Sequence, residues 1–273
     1  MSHSAADVGD FYDQLTDAIT EPGAGNIHFG YWHDDADQAD FPRACEQMTE
    51  QLVTRLGPTA GQHVLDIGCG VGVPALKLAA EHDVRVTGIS ISERQIGQAQ
   101  ERAAAAGLAD RASFQFADAM RLPFEDGSFD AAWAVESLLH MPDRLTVLRE
   151  AARVLRPGGR FALSDIYLRR PPETEQARTT LADFCRAGSV NSLVSAEEYR
   201  AVVEEAGLRV LDVTDVTAHV RNSIVAIGEP VFTNPELAER VHGPGASDWL
   251  KDMLERFSTL PEAGYLLISA EKP

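Results

Sequence analysis

The sequence has few basic residues and no long apolar run. Lys and Arg total 24 against 42 Asp and Glu, so the 273 residues carry a formal net charge of −18 at pH 7. Such a surface repels phosphate backbones and anionic headgroups, which argues against nucleic acid or membrane as a partner. No apolar run approaches the roughly 20 residues of a membrane span, and the acidic N-terminus lacks the pattern of a secretory signal. We therefore expect a cytoplasmic location.

Cysteine is also scarce. Cys45, Cys69 and Cys185 are odd in number and widely spaced, and no pair has the spacing of metal ligands. We interpret them as reduced thiols, and we expect no metal site.

Short β-rich runs alternate with amphipathic helical patterns between about residues 60 and 166. Five strands are predicted there: His63–Ile67, Arg85–Ser90, Ala112–Phe116, Phe129–Val135 and Arg160–Ile166. Ser92 with Gln95 has the pattern of a capping box for the helix after the second strand. This alternation is typical of βαβ units and a parallel sheet.

The pattern changes after residue 170. Further helices are predicted over Glu173–Ala187 and after Ser195, which forms a capping box with Glu198. Two late strands are predicted, Leu208–Thr217 and Gly264–Ala270. The stretch 219–262 between them is too long for a hairpin loop and indicates a lid or cap, with one helix near Ser247–Phe257.

The segment that carries chemistry follows the first strand. Gly68, Gly70 and Gly72 occupy alternate positions before a helix, and Asp66 precedes them. Glycine lets a backbone approach a ligand closely. A dinucleotide loop reads G-x-G-x-x-G and serves a pyrophosphate. The G-x-G-x-G spacing here suits a ligand without phosphates, with amino-acid and sugar parts.

With this loop, the chain resembles the class I S-adenosylmethionine-dependent methyltransferases. Two further landmarks carry the resemblance: Asp118-Ala119 after the third strand, and the Leu-Arg-Pro-Gly-Gly turn at 155–159. The implied fold is α/β, a Rossmann-like seven-stranded mostly parallel sheet with an antiparallel last strand. Helices should cover both faces.

The resemblance covers most of the chain and implies one methyltransferase domain over 1–273. Residues 60–170 would form the cofactor-binding core. Residues 11–45 and 218–262 would form a helical cap that binds the substrate.

The implied cofactor is S-adenosyl-L-methionine, and the resemblance assigns a set of residues to it. These are Tyr12, Asp66, Gly68, Gly70, Ser90, Gln95, Asp118, Ala119 and Ala134. One departure concerns the ribose, because Ser90 stands where the family often has Asp or Glu. Ser90 and Gln95 would then share the ribose hydroxyls. The metal-ligand cluster of catechol-type members is absent after the fourth strand.

Two residues are candidates for catalysis. His140 follows the fourth strand and Asp165 ends the fifth, so both reach one crevice at the carboxyl edge of the sheet. We interpret His140 as the general base and Asp165 as the group that orients it or accepts a substrate hydroxyl. Glu136 is a second acid/base candidate that could instead cap the following helix. His28 is assigned no role.

Four segments give a narrower resemblance to natural-product tailoring methyltransferases such as the rebeccamycin sugar O-methyltransferase. They are Asn26–Trp32, Val86–Ser92, Glu136–Met141 and Ala263–Tyr265. The implied function is O-methylation of a hydroxyl on a small-molecule acceptor in secondary metabolism. Alternatives are C-methylation, for example of an isoprenoid, N-methylation, and a methyltransferase fold that assists a cyclisation. The sequence leaves the acceptor and the oligomeric state open.

Overall fold

A computed structural model describes residues 4–19, 28–220, 222–233 and 235–273. It contains one seven-stranded sheet in the order β3-β2-β1-β4-β5-β7-β6. The strands are β1 His63–Ile67, β2 Arg85–Ser90, β3 Ala112–Phe116, β4 Phe129–Val135, β5 Leu155–Leu168, β6 Arg209–Asp215 and β7 Ala263–Glu271. The first five strands pair in parallel, whereas β7 runs antiparallel to both β5 and β6. The predicted fold class is confirmed.

Helices cover both faces of the sheet. They are α1 Ala5–Ile19, α2 Phe41–Leu56, α3 Val73–His82, α4 Glu93–Ala105, α5 Arg144–Val154, α6 Glu175–Ala187, α7 Ala196–Glu205, α8 Ser223–Thr233, α9 Pro235–His242 and α10 Ala246–Ser258. Apolar side chains of α2, α3, α4 and α10 build the core on one face, and those of α5 and α7 build it on the other. None of the helices within the described residues is long and apolar enough to cross a membrane.

The first four strands have the predicted bounds, and the fifth is longer than predicted. β5 begins at Leu155 because the Pro-Gly-Gly stretch continues the sheet rather than ending it. The Gly158 N–H donates to the Lys272 carbonyl at 2.8 Å, and the Lys272 N–H donates to Gly159 at 2.9 Å. The turn expected before the fifth strand is thus paired with the last residues of the chain.

The two predicted capping boxes have different outcomes. Ser195 and Glu198 form the complete box, with both side chain-to-backbone bonds present. Ser92 accepts from the Gln95 N–H at 3.1 Å, as expected for an N-cap. The Gln95 side chain does not return to the N-cap; it bonds to Ser90 instead. This second capping box is therefore half formed, and the Gln95 side chain is available to the functional site.

The late insertion joins the N-terminal segment beside the sheet. Its described part holds α8, α9 and α10, where the sequence predicted a single helix. The Gly30 N–H donates to the Ser223 hydroxyl at 3.0 Å, and the Trp32 N–H donates to the His219 carbonyl at 2.8 Å. α1 packs on α4 and α9. The expected cap segments thus contact each other, although residues 20–27 of the first lie outside the described residues.

Candidate active site

A cleft opens at the carboxyl edge of β1, β2, β3 and β4, beneath α1. Its volume is about 1070 Å³, a figure that includes solvent at its open mouth. Most of the sequence-predicted site residues line it: Tyr12, Asp66, Gly68, Gly70, Ser90, Gln95, Asp118, Ala119 and His140. The structure does not bring Ala134 and Asp165 to its wall.

The glycine loop is shaped for two different reasons. Gly68 has φ +80°, and an added Cβ would lie 2.4 Å from Ser137 Cβ. Ser137 in turn donates to the Ile67 carbonyl at 2.6 Å, so this contact is fixed. Gly70 has φ +53°, and its added Cβ would meet only the Gln95 amide nitrogen, at 4.0 Å. Gly68 therefore serves packing, whereas Gly70 leaves space for a ligand.

Asp66 is a buried carboxylate that receives no regular hydrogen bond from the described part of the chain. Its side chain is on the same face as Trp133, its neighbour on β4. Neither carboxylate oxygen has a partner among the described residues. Burial raises the pKa of Asp66 to about 7, a rise that the facing Trp133 indole moderates without a regular hydrogen bond. Such a group favours a ligand that brings a positive charge or N–H donors.

Ser90 and Gln95 form a polar pair on the wall after β2. The Ser90 hydroxyl donates to Gln95 Oε1 at 2.9 Å and accepts from the Ser92 N–H at 3.1 Å. This arrangement leaves the Gln95 amide N–H groups beside Gly70. Farther along, Asp118 accepts from the Met120 N–H at 2.9 Å, which fixes the loop after β3. The residues expected to hold a ribose and an adenine are thus adjacent along the sheet edge.

His140 lies beneath α1, and both of its ring nitrogens are within hydrogen-bond distance of a partner. Its Nδ1 is 3.1 Å from the Ser189 carbonyl, which can only accept, so Nδ1 carries the proton. Its Nε2 is then the basic nitrogen, and it accepts from the Tyr12 hydroxyl at 2.7 Å. The two rings meet edge to face at 5.2 Å. In the neutral imidazole, the basic nitrogen therefore lies at the cleft, beside the Tyr12 hydroxyl.

Asp165 has partners other than those the sequence interpretation gave it. It is fully buried, accepts from the Tyr199 hydroxyl and the Ile166 N–H, and lies near Arg144. Burial raises its pKa to about 7, while Arg144 opposes the rise. The imidazole is oriented by Ser189 and Tyr12, so Asp165 acts behind the site rather than on its wall.

Ala134 is likewise displaced from its expected position. Its side chain packs into the core on the α5 side of the sheet, with 1% exposed. Side chains alternate along a strand, so its neighbour Val135 lines the cleft instead.

Glu136 lies at the end of β4 in a strained conformation. Its φ of +46° is in the left-handed region, which is unfavourable for a residue with a Cβ. Its Oε1 accepts from the Phe29 N–H at 2.5 Å and from the Tyr265 hydroxyl at 2.6 Å. Burial raises its pKa to about 8, against the effect of those two bonds. Glu136 lines the cleft and ties the N-terminal segment to β7.

His28 is a site residue that the sequence interpretation missed. It lines the cleft with only 6% of its surface exposed. A lone histidine in a loop carries no signal of its own. The aromatic, glycine-rich segment in which it lies was the available indication.

The charge of the cleft wall narrows the class of ligand. Its acidic side chains are Asp66, Asp118 and Glu136, and no Lys or Arg is among the described residues that line it. A phosphate would be repelled here, whereas a cation with donor groups would be stabilised. S-adenosylmethionine, a sulfonium with an ammonium group and no phosphate, fits the unpaired Asp66 carboxylate and the open space at Gly70. No cluster of three potential metal ligands occurs within the described part of the chain.

Comparisons with known proteins agree with this chemistry. A family model described as a methyltransferase domain matches residues 65–163. The chain is 43% identical over 269 residues to methyltransferase GfsG of Streptomyces halstedii, with 98% of this chain and 94% of that protein covered. It is 41% identical over 267 residues to the 27-O-demethylrifamycin SV methyltransferase of Amycolatopsis mediterranei (strain S699), with 98% and 97% covered.

Among solved structures, the fold is similar to the [4+2]-cyclase SpnF. The TM-score is 0.86 at 30% sequence identity, with 100% of this chain and 97% of that chain covered.

Proposed function

This chain belongs to the class I S-adenosylmethionine-dependent methyltransferases of natural-product type, and from that premise we propose how its residues act. It transfers a methyl group to a small-molecule natural product, with O-methylation favoured. His140 is the general base that takes the proton of the acceptor hydroxyl. The observation that carries this role is the basic Nε2 of His140, which is aligned at the cleft by Ser189 and Tyr12.

S-adenosylmethionine supplies an electrophilic methyl group on a cationic sulfur. Asp118 and Ala119 would hold its adenine, and Ser90 with Gln95 its ribose. Gly68, Gly70 and Asp66 would receive the amino-acid end, where the buried carboxylate gains a cationic neighbour. Tyr12, on α1, also lines the cleft and would contact the bound molecule.

The chain's own contribution is alignment, exclusion of water and removal of a proton. Holding two reacting groups in line contributes up to roughly 7–11 kcal/mol. As the acceptor oxygen loses its proton to His140 Nε2, the Ser189 carbonyl keeps Nδ1–H in place and stabilises the imidazolium. Tyr12 must yield its bond to Nε2 when the hydroxyl arrives. Asp165 is bonded to Tyr199 and does not reach the reacting groups.

The cap selects the acceptor in this proposal. The core would span 60–170, and the segments 11–45 and 218–262 would form the cap. Tyr12 and His28 of the first segment line the cleft, and the second segment contacts the first through His219 and Ser223. The wall at the β4 end carries Val135, Met141 and Pro142 beside His140. This mixed surface suits a hydroxyl on a largely apolar scaffold, such as a polyketide or a glycoside.

Cyclisation assistance is the second candidate, and the likeness to a [4+2]-cyclase at 30% identity favours it. Such a role would use the cleft as a shaped surface and would need no base. The two functions differ in one measurable product, a methylated acceptor.

The test is a screen of hydroxylated polyketides and glycosides with S-adenosylmethionine carrying a labelled methyl group. We expect label in the acceptor as a methyl ether. With the acceptor found, His140→Ala should lower turnover by about two orders of magnitude, while the affinity for S-adenosylhomocysteine stays near that of wild type. Turnover close to wild type in this variant would remove His140 from the role of base. Conversion of a polyene without label would favour the cyclase reading.

A further inference from the structure

His28 lines the cleft and has a buried acceptor nitrogen without a partner among the described residues. Its Nδ1 is 2.9 Å from the Phe29 carbonyl, so Nδ1 carries the proton and Nε2 has the lone pair. Nε2 is buried and has no hydrogen-bond partner among the described residues. Burial lowers the pKa of His28, which keeps the imidazole neutral near pH 7. A buried acceptor without a donor is costly unless a ligand supplies one.

The position of this nitrogen is fixed by its neighbours. The His28 carbonyl accepts from the Cys45 thiol at 3.3 Å. The next residue, Phe29, donates its N–H to Glu136 and stacks on Tyr265 with ring centroids 5.3 Å apart. The strained Glu136 backbone is part of this same anchor. Rigid support of this kind is expected for a recognition residue rather than for a surface histidine.

The sheet order indicates which donor the nitrogen receives. Asp118 and Ser90 follow β3 and β2, on one side of β1, whereas Glu136 and the anchored His28 lie on the β4 side. Adenine and ribose donors are therefore taken by residues on the opposite side. The acceptor hydroxyl is taken by His140. The remaining N–H donor of the cofactor is its ammonium group, and Asp66 on β1 is a second unpartnered acceptor for it.

We infer that His28 recognises the amino-acid end of S-adenosylmethionine by accepting a hydrogen bond from its ammonium group at Nε2. This inference rests on the cofactor placement given under the proposed function. It adds a neutral acceptor to the negative Asp66, so that the ammonium is held by one charge and one lone pair.

The test removes the proposed acceptor from the protein and, separately, the amino group from the ligand. S-adenosylhomocysteine and its deaminated analogue, in which hydrogen replaces the amino group, are titrated calorimetrically into wild type, His28→Asn and His28→Gln. Asparagine keeps a donor near the Nδ1 position but has no acceptor near Nε2, whereas glutamine can place its amide oxygen there. His33→Gln, an exposed histidine of the same segment, is the control.

For His28→Asn we expect S-adenosylhomocysteine to bind roughly tenfold or more weakly, the loss of a hydrogen bond to a charged group. The deaminated analogue should bind the variant and wild type alike, and His28→Gln should recover part of the affinity. Unchanged binding of both ligands, or equal weakening of both, would overturn the inference, since neither involves the ammonium. Failure of wild type to bind S-adenosylhomocysteine at all would instead contradict the cofactor placement. Thermal unfolding of each variant verifies that it folds.

Discussion

The Tyr12 hydroxyl on α1 donates a 2.7 Å hydrogen bond to His140 Nε2, joining residues 128 positions apart. The bond places the first helix of the chain directly on the nitrogen that we assign as base. A change in one residue should therefore be felt in the chemistry of the other.

Tyr12→Phe removes this hydroxyl and keeps the ring. We expect KM for the acceptor found in the screen to fall about fivefold to tenfold with kcat near that of wild type, because the acceptor hydroxyl no longer displaces the Tyr12 hydroxyl from Nε2, a buried hydrogen bond worth roughly 1 kcal/mol. Binding of S-adenosylhomocysteine should change less than KM. Tyr31→Phe, whose ring stacks on His219, is the matched control. A KM equal to wild type would show that the Tyr12 hydroxyl does not compete with the acceptor at His140.

Gly70→Ala tests the open space in the glycine loop. Gly70 and Gly107 both have positive φ, +53° and +67°, and an added Cβ meets nothing closer than 4.0 Å at Gly70 and nothing within 4 Å at Gly107. Alanine should destabilise the fold by about 1 kcal/mol at either position. Only Gly70→Ala should also weaken binding of S-adenosylhomocysteine, by tenfold or more, because its methyl group enters the cleft. Equal affinities of the two variants in calorimetry would refute a ligand at Gly70.

Asp66→Asn removes the buried charge with little change in shape. A cation that binds near Asp66 lowers its pKa from about 7, so wild type should release protons on binding at pH 6.5. Calorimetry in two buffers of different ionisation enthalpy measures this release. We expect Asp66→Asn to reduce this proton release and to weaken the binding of S-adenosylmethionine by tenfold or more. The exposed control Asp110→Asn should change neither quantity. The same proton release in Asp66→Asn as in wild type would assign it to another group.

Glu136→Gln tests how the stability of the folded protein depends on pH. The pKa of Glu136 is about 8 in the folded protein and 4.5 in the unfolded chain, so between these values the folded state binds the extra proton. The stabilising contribution is complete below about pH 4.5 and is lost as pH rises to 8, at up to roughly 1.4 kcal/mol per unit. Glutamine still accepts from Phe29 and Tyr265. Urea unfolding from pH 5 to 8 should therefore show a flatter profile in Glu136→Gln than in wild type and in the exposed control Glu255→Gln. Parallel profiles would mean that Glu136 is ionised throughout.

The sequence was sufficient to predict the sheet and the residues that follow its strands. Local sequence patterns set where strands end. The positions of Asp66, Ser90 and Asp118 at one edge of the sheet could therefore be predicted. Ala134 does not line the cleft as predicted, because the alternation of side chains along β4 turns this side chain to the opposite face of the sheet. Local pattern alone does not set which of two adjacent strand residues faces a site.

The partners of buried side chains could not be predicted in the same way. Asp165 lies within β5 and His140 follows the neighbouring β4, yet their hydrogen bonds are made with Tyr199 from α7 and with Ser189, which precedes that helix. Those partners come from segments whose approach depends on the packing of the whole chain. His28 could not be predicted for the same reason: its carbonyl is bonded by Cys45 of α2, and its neighbour Phe29 is held by Glu136 and Tyr265.

Gly9 lies so close to the loop before α4 that an added Cβ would come within 2.8 Å of the Ile91 carbonyl oxygen. The first helix therefore seats with no clearance at a position that does not line the cleft. A side chain at residue 9 would therefore displace α1 and, with it, Tyr12 on the wall of the cleft.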